Sequence, residues 1–437
     1  MYKRQTVSDK DILFMKSFYV FFVFLNLFLT ENILLLFGVT NFSLINNLIL
    51  AVSVFLLFVS DIVMYRYRRS YCISFSILFM LQILFYLFTG ADGFKSTMCI
   101  GAMFVAGAMP VNEIRNRNIW KTFFYLFLSF YILECSLAII ERVFSTNLPI
   151  LRIGESLWEG VDTGENSAFR SEALLGHPLQ NALIVISAMS FILVSKFSVN
   201  WKFGLWGLGF FALLCFNTRF AIVFSVLLMG VYLLKEYGSE FTNREKRKVL
   251  LYVIVGFVLS IVLIFIFGLG DRLINMGLMD ESSASVRFSL FDVFIGIDIK
   301  SLLMPMEPRT FESLMYYRDI RVIENFWVTF LFTYGFVFLG IIVVVHFFIL
   351  RVMYKNYSVF PILFTAFTFF VTASTNNSLV TSWHMLAYYF FFVILFDPKM
   401  QLFILPASMK SDKLKIESKL LLYLLSKKTN EKNIRVL

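Results

Sequence analysis

"GHPLQNALIVISAMSFILVSK" (residues 176–196) sets a Gly-His-Pro turn directly against an apolar block and closes it with Ser-Lys. From Ala182 to Val194 the block carries no charge, and its only polar side chains are Ser187 and Ser190. As an α-helix, residues 178–195 would be about 27 Å long, close to the ~30 Å hydrocarbon core of a bilayer. An amphipathic helix of a soluble protein would show a polar stripe at every third or fourth position. This block has none, so it reads as a membrane span.

The rest of the chain repeats the pattern. Of 437 residues, 59% are hydrophobic and 16% charged, where ordinary soluble domains carry roughly 25% charged residues. Mean hydropathy is +0.78. Apolar blocks are expected to span at 12–30, 44–64, 71–89, 96–111, 119–140, 178–195, 203–217, 220–234, 249–267, 326–349, 359–373 and 382–396. The expected fold class is an all-α polytopic membrane protein of about 12 transmembrane helices, with an integral membrane domain over 1–400 and a basic tail over 401–437. A transmembrane β-barrel needs alternating polarity over about ten residues, which these blocks lack. The cysteines, Cys72, Cys99, Cys135 and Cys215, all fall inside apolar blocks without metal-ligand spacing and read as packing residues. No cleavable signal peptide is evident, and the first block reads as a span.

Charge sets the orientation. "RYRR" (66–69), "NEIRNRN" (112–118) with Lys121 just after it, Lys196 to Lys202, "KEYGSEFTNREKRK" (235–248), "RVMYK" (351–355) and both termini fall on one side of the threading and hold 27 of the 39 Lys+Arg. The positive-inside rule makes that side, and both termini, cytoplasmic. It also accounts for the net charge of +10 without nucleic acid. The larger outer segments are then 141–177 and 268–325. "SKLLLYLLSKK" (418–428) in the tail has the pattern of an interfacial amphipathic helix.

On the outer side the basic residues are arginines: 142, 152, 170, 219, 272, 287, 309, 318 and 321, against only Lys95 and Lys300. A guanidinium is planar, stays charged and can grip phosphate oxygens with two parallel N–H bonds, which suits a diphosphate. The competing reading is neutralisation by loop acids such as Asp271, Asp280, Glu281 and Asp298. Arg219 stands apart, because "LLCFNTRFAIVFSVLLMG" puts it in a turn of a few residues, at a helix start whose dipole favours anions. Snorkelling to the interface would also place an arginine there. Glu134, inside "YILECSLAII", is a carboxylate within a span and needs a partner, for which Arg219 is the first candidate.

Taken in order, "GHPLQNA" (176–182), "TR" (218–219), "SVRFSLFDVF" (285–294) and "ENFWVTFLFTYGFVFLG" (324–340) resemble the O-antigen polymerase and ligase family of bacterial envelope glycan assembly. Order and side agree over roughly residues 165–345. Leu179 follows the proline where the family has asparagine, with Asn181 nearby. Glu324 stands where the ligases carry histidine, which tilts the reading from ligase to polymerase.

The resemblance implies a bacterial inner-membrane glycosyltransferase that joins repeat units of O-antigen, capsule or exopolysaccharide carried on undecaprenyl diphosphate. Arg219 and Arg287 would stabilise charge on the departing diphosphate, and Glu324 would deprotonate the acceptor hydroxyl unless it only neutralises Arg318 or Arg321. Arg170, His177, Asn181, Arg318, Arg321 and Asn325 would bind substrate, with Asn325 also orienting Glu324 and Glu134 supporting from within the bundle. His177, at the mouth of a helix begun by Pro178, suits positioning better than general-base work. The alternatives are a glycan ligase of the same family and, from another class, a flippase or exporter of the same lipid-linked sugars. No metal or nucleotide cofactor is implied. The implied partners are lipid-linked glycans, membrane lipids, a chain-length regulator and a flippase.

Overall fold

The computed structural model describes residues 117–145, 169–239, 243–267 and 293–411, the last without 319, 321, 322, 324, 355, 356, 377, 382, 383 and 407, together with positions 28, 30, 33 and 80. Apart from those four positions, the expected spans before residue 112 lie outside the described residues, as do the tail beyond 411 and Arg287, Arg321 and Glu324.

Within them the protein is all-α. The longer helices are α1 (Arg117–Phe144), α2 (Pro178–Val194), α3 (Val199–Phe216), α4 (Arg219–Ser239) and α5 (Asn243–Phe267). Two short helices follow, α6 (Ile299–Leu303) and α7 (Pro308–Tyr317), then α8 (Phe326–Met353), α9 (Val359–Ser374), α10 (Ser378–Thr381), α11 (His384–Leu395) and α12 (Pro398–Ile404). At least two of them, Lys121–Phe144 within α1 and Val199–Phe216, are long and apolar enough to cross a membrane.

The block that opened the sequence forms the centre. Every residue of α2 from Gln180 to Leu193 is buried, by α3, α4, α9, α11 and α1 around it. A helix enclosed on all sides needs no polar stripe, which explains why its sequence shows none. Aromatic rings fill the layer around its far half: Phe191 lies 5.6 Å from Tyr389, and Tyr389 stacks on Phe369 at 4.4 Å.

Hydrogen bonds show which helix ends lie together. At one end, Arg142 near the close of α1 donates to Phe169 O, and Ser171 N donates to Cys215 O near the close of α3. The starts of α2 and α4 therefore belong to the same end. At the other end, the link between α2 and α3 pairs with the chain after α11. Phe197 and Lys410 form an antiparallel bridge, and Lys196 N donates to Gln401 Oε1 at 2.7 Å. The alternation of helix direction agrees with a chain threaded back and forth, and α12 lies across the expected boundary at residue 400.

Two local corrections matter for the site. α1 runs to Phe144, so Glu141 and Arg142 belong to its last turns, not to a loop beginning at 141. The described part of segment 268–325 is not plain loop but holds α6 and α7. Val293, Ile320, Ile323 and Phe332 form a small separate core beneath them.

α8 is broken inside. Gly335 takes φ 71 and ψ 162, a conformation open in practice to glycine alone. The break brings the chain after α6 against α8, where Met306 N donates to Phe332 O at 2.9 Å.

Candidate functional site

The end of the bundle where α1 closes, α2 opens and α3 turns into α4 collects the polar residues. The turn is short because Asn217 ends α3 in the left-handed region, φ 55 and ψ 39, which asparagine tolerates better than most residues. Its N–H returns to Leu214 O at 3.2 Å. Thr218 O accepts from Ile222 N, so α4 begins at once with Arg219 as its first residue. Arg219 therefore follows a short turn as the first residue of a helix, the backbone position the sequence suggested.

Segment 169–177 folds over this turn. The half-buried Arg170 donates from Nε to Phe216 O at 3.2 Å, which fixes its guanidinium beside the end of α3. Arg142, buried in the last turns of α1, donates from Nη1 to Phe169 O at 2.8 Å. Arg142 and Arg170 are thus fixed by backbone carbonyls on either side of the contact between segment 169–171 and the end of α3, and Arg219 opens the next helix three residues after Phe216. The sequence had marked Arg142 only as one outer arginine among several.

His177 is the N-cap of α2. Gly176, at φ 75, turns the chain into the cap, and Pro178 supplies the first helical residue without an N–H to satisfy. The His177 Nδ1 accepts the Leu179 N–H at 3.3 Å. A neutral imidazole that accepts at Nδ1 carries its proton on Nε2, so the ring is a donor there. Burial lowers its pKa to about 4, and the positive charge of Arg170 adds to the effect. At neutral pH His177 is therefore an uncharged donor and a weak base.

The sign of its pH effect follows. The folded pKa lies below the ordinary ~6.5 of the unfolded chain, so between those values the unfolded state binds more protons. His177 costs no stability above about pH 6.5, and its penalty grows as pH falls to about 4. Wild type should thus lose about 3 kcal/mol more stability than His177→Gln between pH 7 and pH 4, read from denaturation midpoints across that range. Equal acid sensitivity in the two proteins would contradict the assignment.

Two carboxylates of α1 hold the segment from below. Glu141 Oε2 accepts from Glu172 N at 2.8 Å and Ala173 N at 3.0 Å, and Glu134 Oε2 accepts from Leu174 N at 3.0 Å. Glu134 takes a backbone N–H, not the Arg219 guanidinium expected from the sequence, and sits about 15 Å from the end of α1, deeper than the two turns expected. Its Oε1, the Asn181 Oδ1 and the Thr218 Oγ1 are buried without a hydrogen-bond partner among the described residues. Asn181 Nδ2 donates to Glu172 O and ties α2 to the same segment.

Other expected site residues lie elsewhere. Asn325 is the N-cap of α8: its Oδ1 accepts from Trp327 N at 2.9 Å and Val328 N at 3.3 Å, so that oxygen holds the helix start. Arg318 closes α7 and donates to Ile295 O. Among the described residues neither bonds to the arginine group. His346 lies within α8, and His384 opens α11. No cluster of three or more His, Cys, Asp or Glu suited to a metal occurs among the described residues.

The sequence reading missed Glu141. Its signal was spacing: Glu134 and Glu141 are seven residues apart, hence on one helix face. Comparison with known proteins adds no relative: no family model, no curated protein and no solved structure matches the chain.

Proposed function

We propose that the protein is a bacterial inner-membrane polymerase that joins oligosaccharide repeat units carried on undecaprenyl diphosphate, belonging to the O-antigen polymerase and ligase family. In this reading about twelve helices cross the membrane, both termini are cytoplasmic and the arginine end faces outward. One observation carries the proposal: Arg170 is bonded to the end of α3 just before the turn at which Arg219 opens α4, Arg142 holds the residue before Arg170, and the neutral donor His177 lies close to Arg170. Fixed guanidinium groups beside a positive helix end suit a diphosphate, whose charge increases as it leaves.

The chemistry is a single displacement. The acceptor sugar hydroxyl attacks the anomeric carbon, the C1–O bond to the diphosphate breaks, and its electron pair goes to the diphosphate oxygen. Arg170 and Arg219 offset the developing charge, while His177 Nε2–H donates to a sugar or phosphate oxygen. The hydroxyl proton passes to a carboxylate, for which Glu324 is the candidate. One displacement inverts the anomeric configuration. Arg287 and Arg321 would extend the anion-binding surface from segment 268–325.

The test is a deletion strain complemented with the wild-type chain, with surface glycans and lipid-linked pools resolved on gels. Loss of a polymerase leaves single repeat units on the final acceptor. A loss that strands long chains on the carrier would make the protein a ligase. Single units trapped facing the cytoplasm would make it a flippase. Unchanged glycans would refute all three.

A further inference from the structure

The segment that carries Arg170 and His177 is fastened to α1 by three successive backbone N–H groups. Those of Glu172 and Ala173 go to Glu141, and that of Leu174 goes to Glu134, two helical turns away on the same face. Ser171 adds a bond from its Oγ to Ala138 O at 2.7 Å, and its N–H holds Cys215 O. Ala173 sits at φ 40, in the left-handed region that side-chain-bearing residues rarely adopt. Such a conformation persists where the surroundings impose it, and here the Ala173 N–H bond to Glu141 lies before that φ rotation and the Leu174 N–H bond to Glu134 after it.

Glu141 is fully buried. Its neighbour Arg142 donates to Phe169 O at the start of the same segment, while Glu141 Oε2 takes the N–H groups of Glu172 and Ala173. The Glu141 carboxylate is therefore aimed at the segment's backbone.

We propose that Glu141 is a positioning residue, whose carboxylate fixes segment 171–174 against α1 and so sets where Arg170 and His177 stand. Its effect on turnover rests on the diphosphate reading above. The clamp itself does not, and the two are separable by experiment.

The chain has only three histidines, His177, His346 and His384, so ring-labelled protein in lipid nanodiscs gives few imidazole signals, and His177→Gln assigns one of them. In wild type His177 titrates near 4, because it is buried and beside Arg170. In Glu141→Ala the acceptor for two N–H groups is gone, the segment lifts, and the His177 midpoint should rise by about two pH units toward its ordinary value. The direction is diagnostic. Removing a negative charge without moving the segment would lower the midpoint, so a rise reports displacement.

Glu141→Gln keeps an acceptor oxygen of the same reach and should hold His177 within about half a unit of wild type. Circular dichroism of both variants should match wild type, which a general loosening of the fold would not allow.

A wild-type His177 midpoint in Glu141→Ala overturns the proposal. Should that variant not fold, Glu141→Asp makes the same test with a carboxylate one methylene shorter: a raised midpoint supports the clamp and an unchanged one overturns it. Chain extension measured on the same samples should fall about tenfold or more in Glu141→Ala and recover in Glu141→Gln. A shifted His177 with normal extension would uphold the clamp and reject the diphosphate reading of this end.

Discussion

Gly335→Ala is expected to destabilise the protein by about 4 kcal/mol, through two costs that the same methyl group incurs together. The first is conformational. At φ 71 and ψ 162 a residue with a Cβ is strained by about 1–3 kcal/mol. The second is steric. A Cβ built at this position comes within 2.8 Å of both Leu303 O and Met304 Cα, and closer still to the Met304 carbonyl carbon. These are backbone atoms of another segment and cannot rotate aside, so the segment after α6 must shift. That shift would break the Met306 N–H bond to Phe332 O. The Phe332 carbonyl freed by the break in α8 would then lose its partner in a buried residue, where an unmet acceptor is costly. Thermal unfolding of the purified protein in detergent measures the sum. Gly340→Ala, five residues on, is the control: a Cβ there has nothing within 4 Å, and the midpoint should hold. If the two variants melt together at the wild-type temperature, the close approach at Gly335 does not exist.

The same pair of segments shows where sequence reasoning stops. Residues 178–195 were expected to span and Pro178–Val194 is the helix observed, because proline sets its start and uninterrupted apolar residues carry it through. Likewise Asn217 and Thr218 announce a turn by their own chemistry, so the position of Arg219 was legible. The break in α8 was not. Gly335 is one glycine among twenty-one, and what distinguishes it is the backbone of Met304, thirty-one positions earlier. Glu134 is a similar case. Its cost within a span is visible from sequence, and a guanidinium was the economical partner, but its bond goes to the N–H of Leu174, forty residues away. Any residue but proline can offer a backbone N–H, so composition gives no sign of it. Asn325 shows the converse: next to a candidate base it reads as chemical, and in the fold its oxygen serves the helix start that follows.

Arg219→Ala should lower the rate of chain extension by about 10²–10³-fold, measured in proteoliposomes with a synthetic undecaprenyl-diphosphate repeat unit as donor. The expectation comes from position. Arg219 is the first residue of α4, immediately after the two-residue link whose α3 end Arg170 holds through Phe216 O, so its backbone is fixed by a helix on one side and a folded segment on the other. A donor fixed this way need not reorganise as charge moves onto the diphosphate, which is why its removal weighs on turnover more than on donor binding. Arg219→Lys separates this role from interfacial anchoring. Lysine snorkels as well as arginine, so an anchor would survive the exchange with full activity. A site that uses the planar fork to hold two phosphate oxygens would not, and about a tenfold loss or more is expected in spite of the retained charge. Wild-type rates in Arg219→Ala would remove Arg219 from the reaction. Wild-type rates in Arg219→Lys with a loss in Arg219→Ala would leave a point charge there and rule out the bidentate grip.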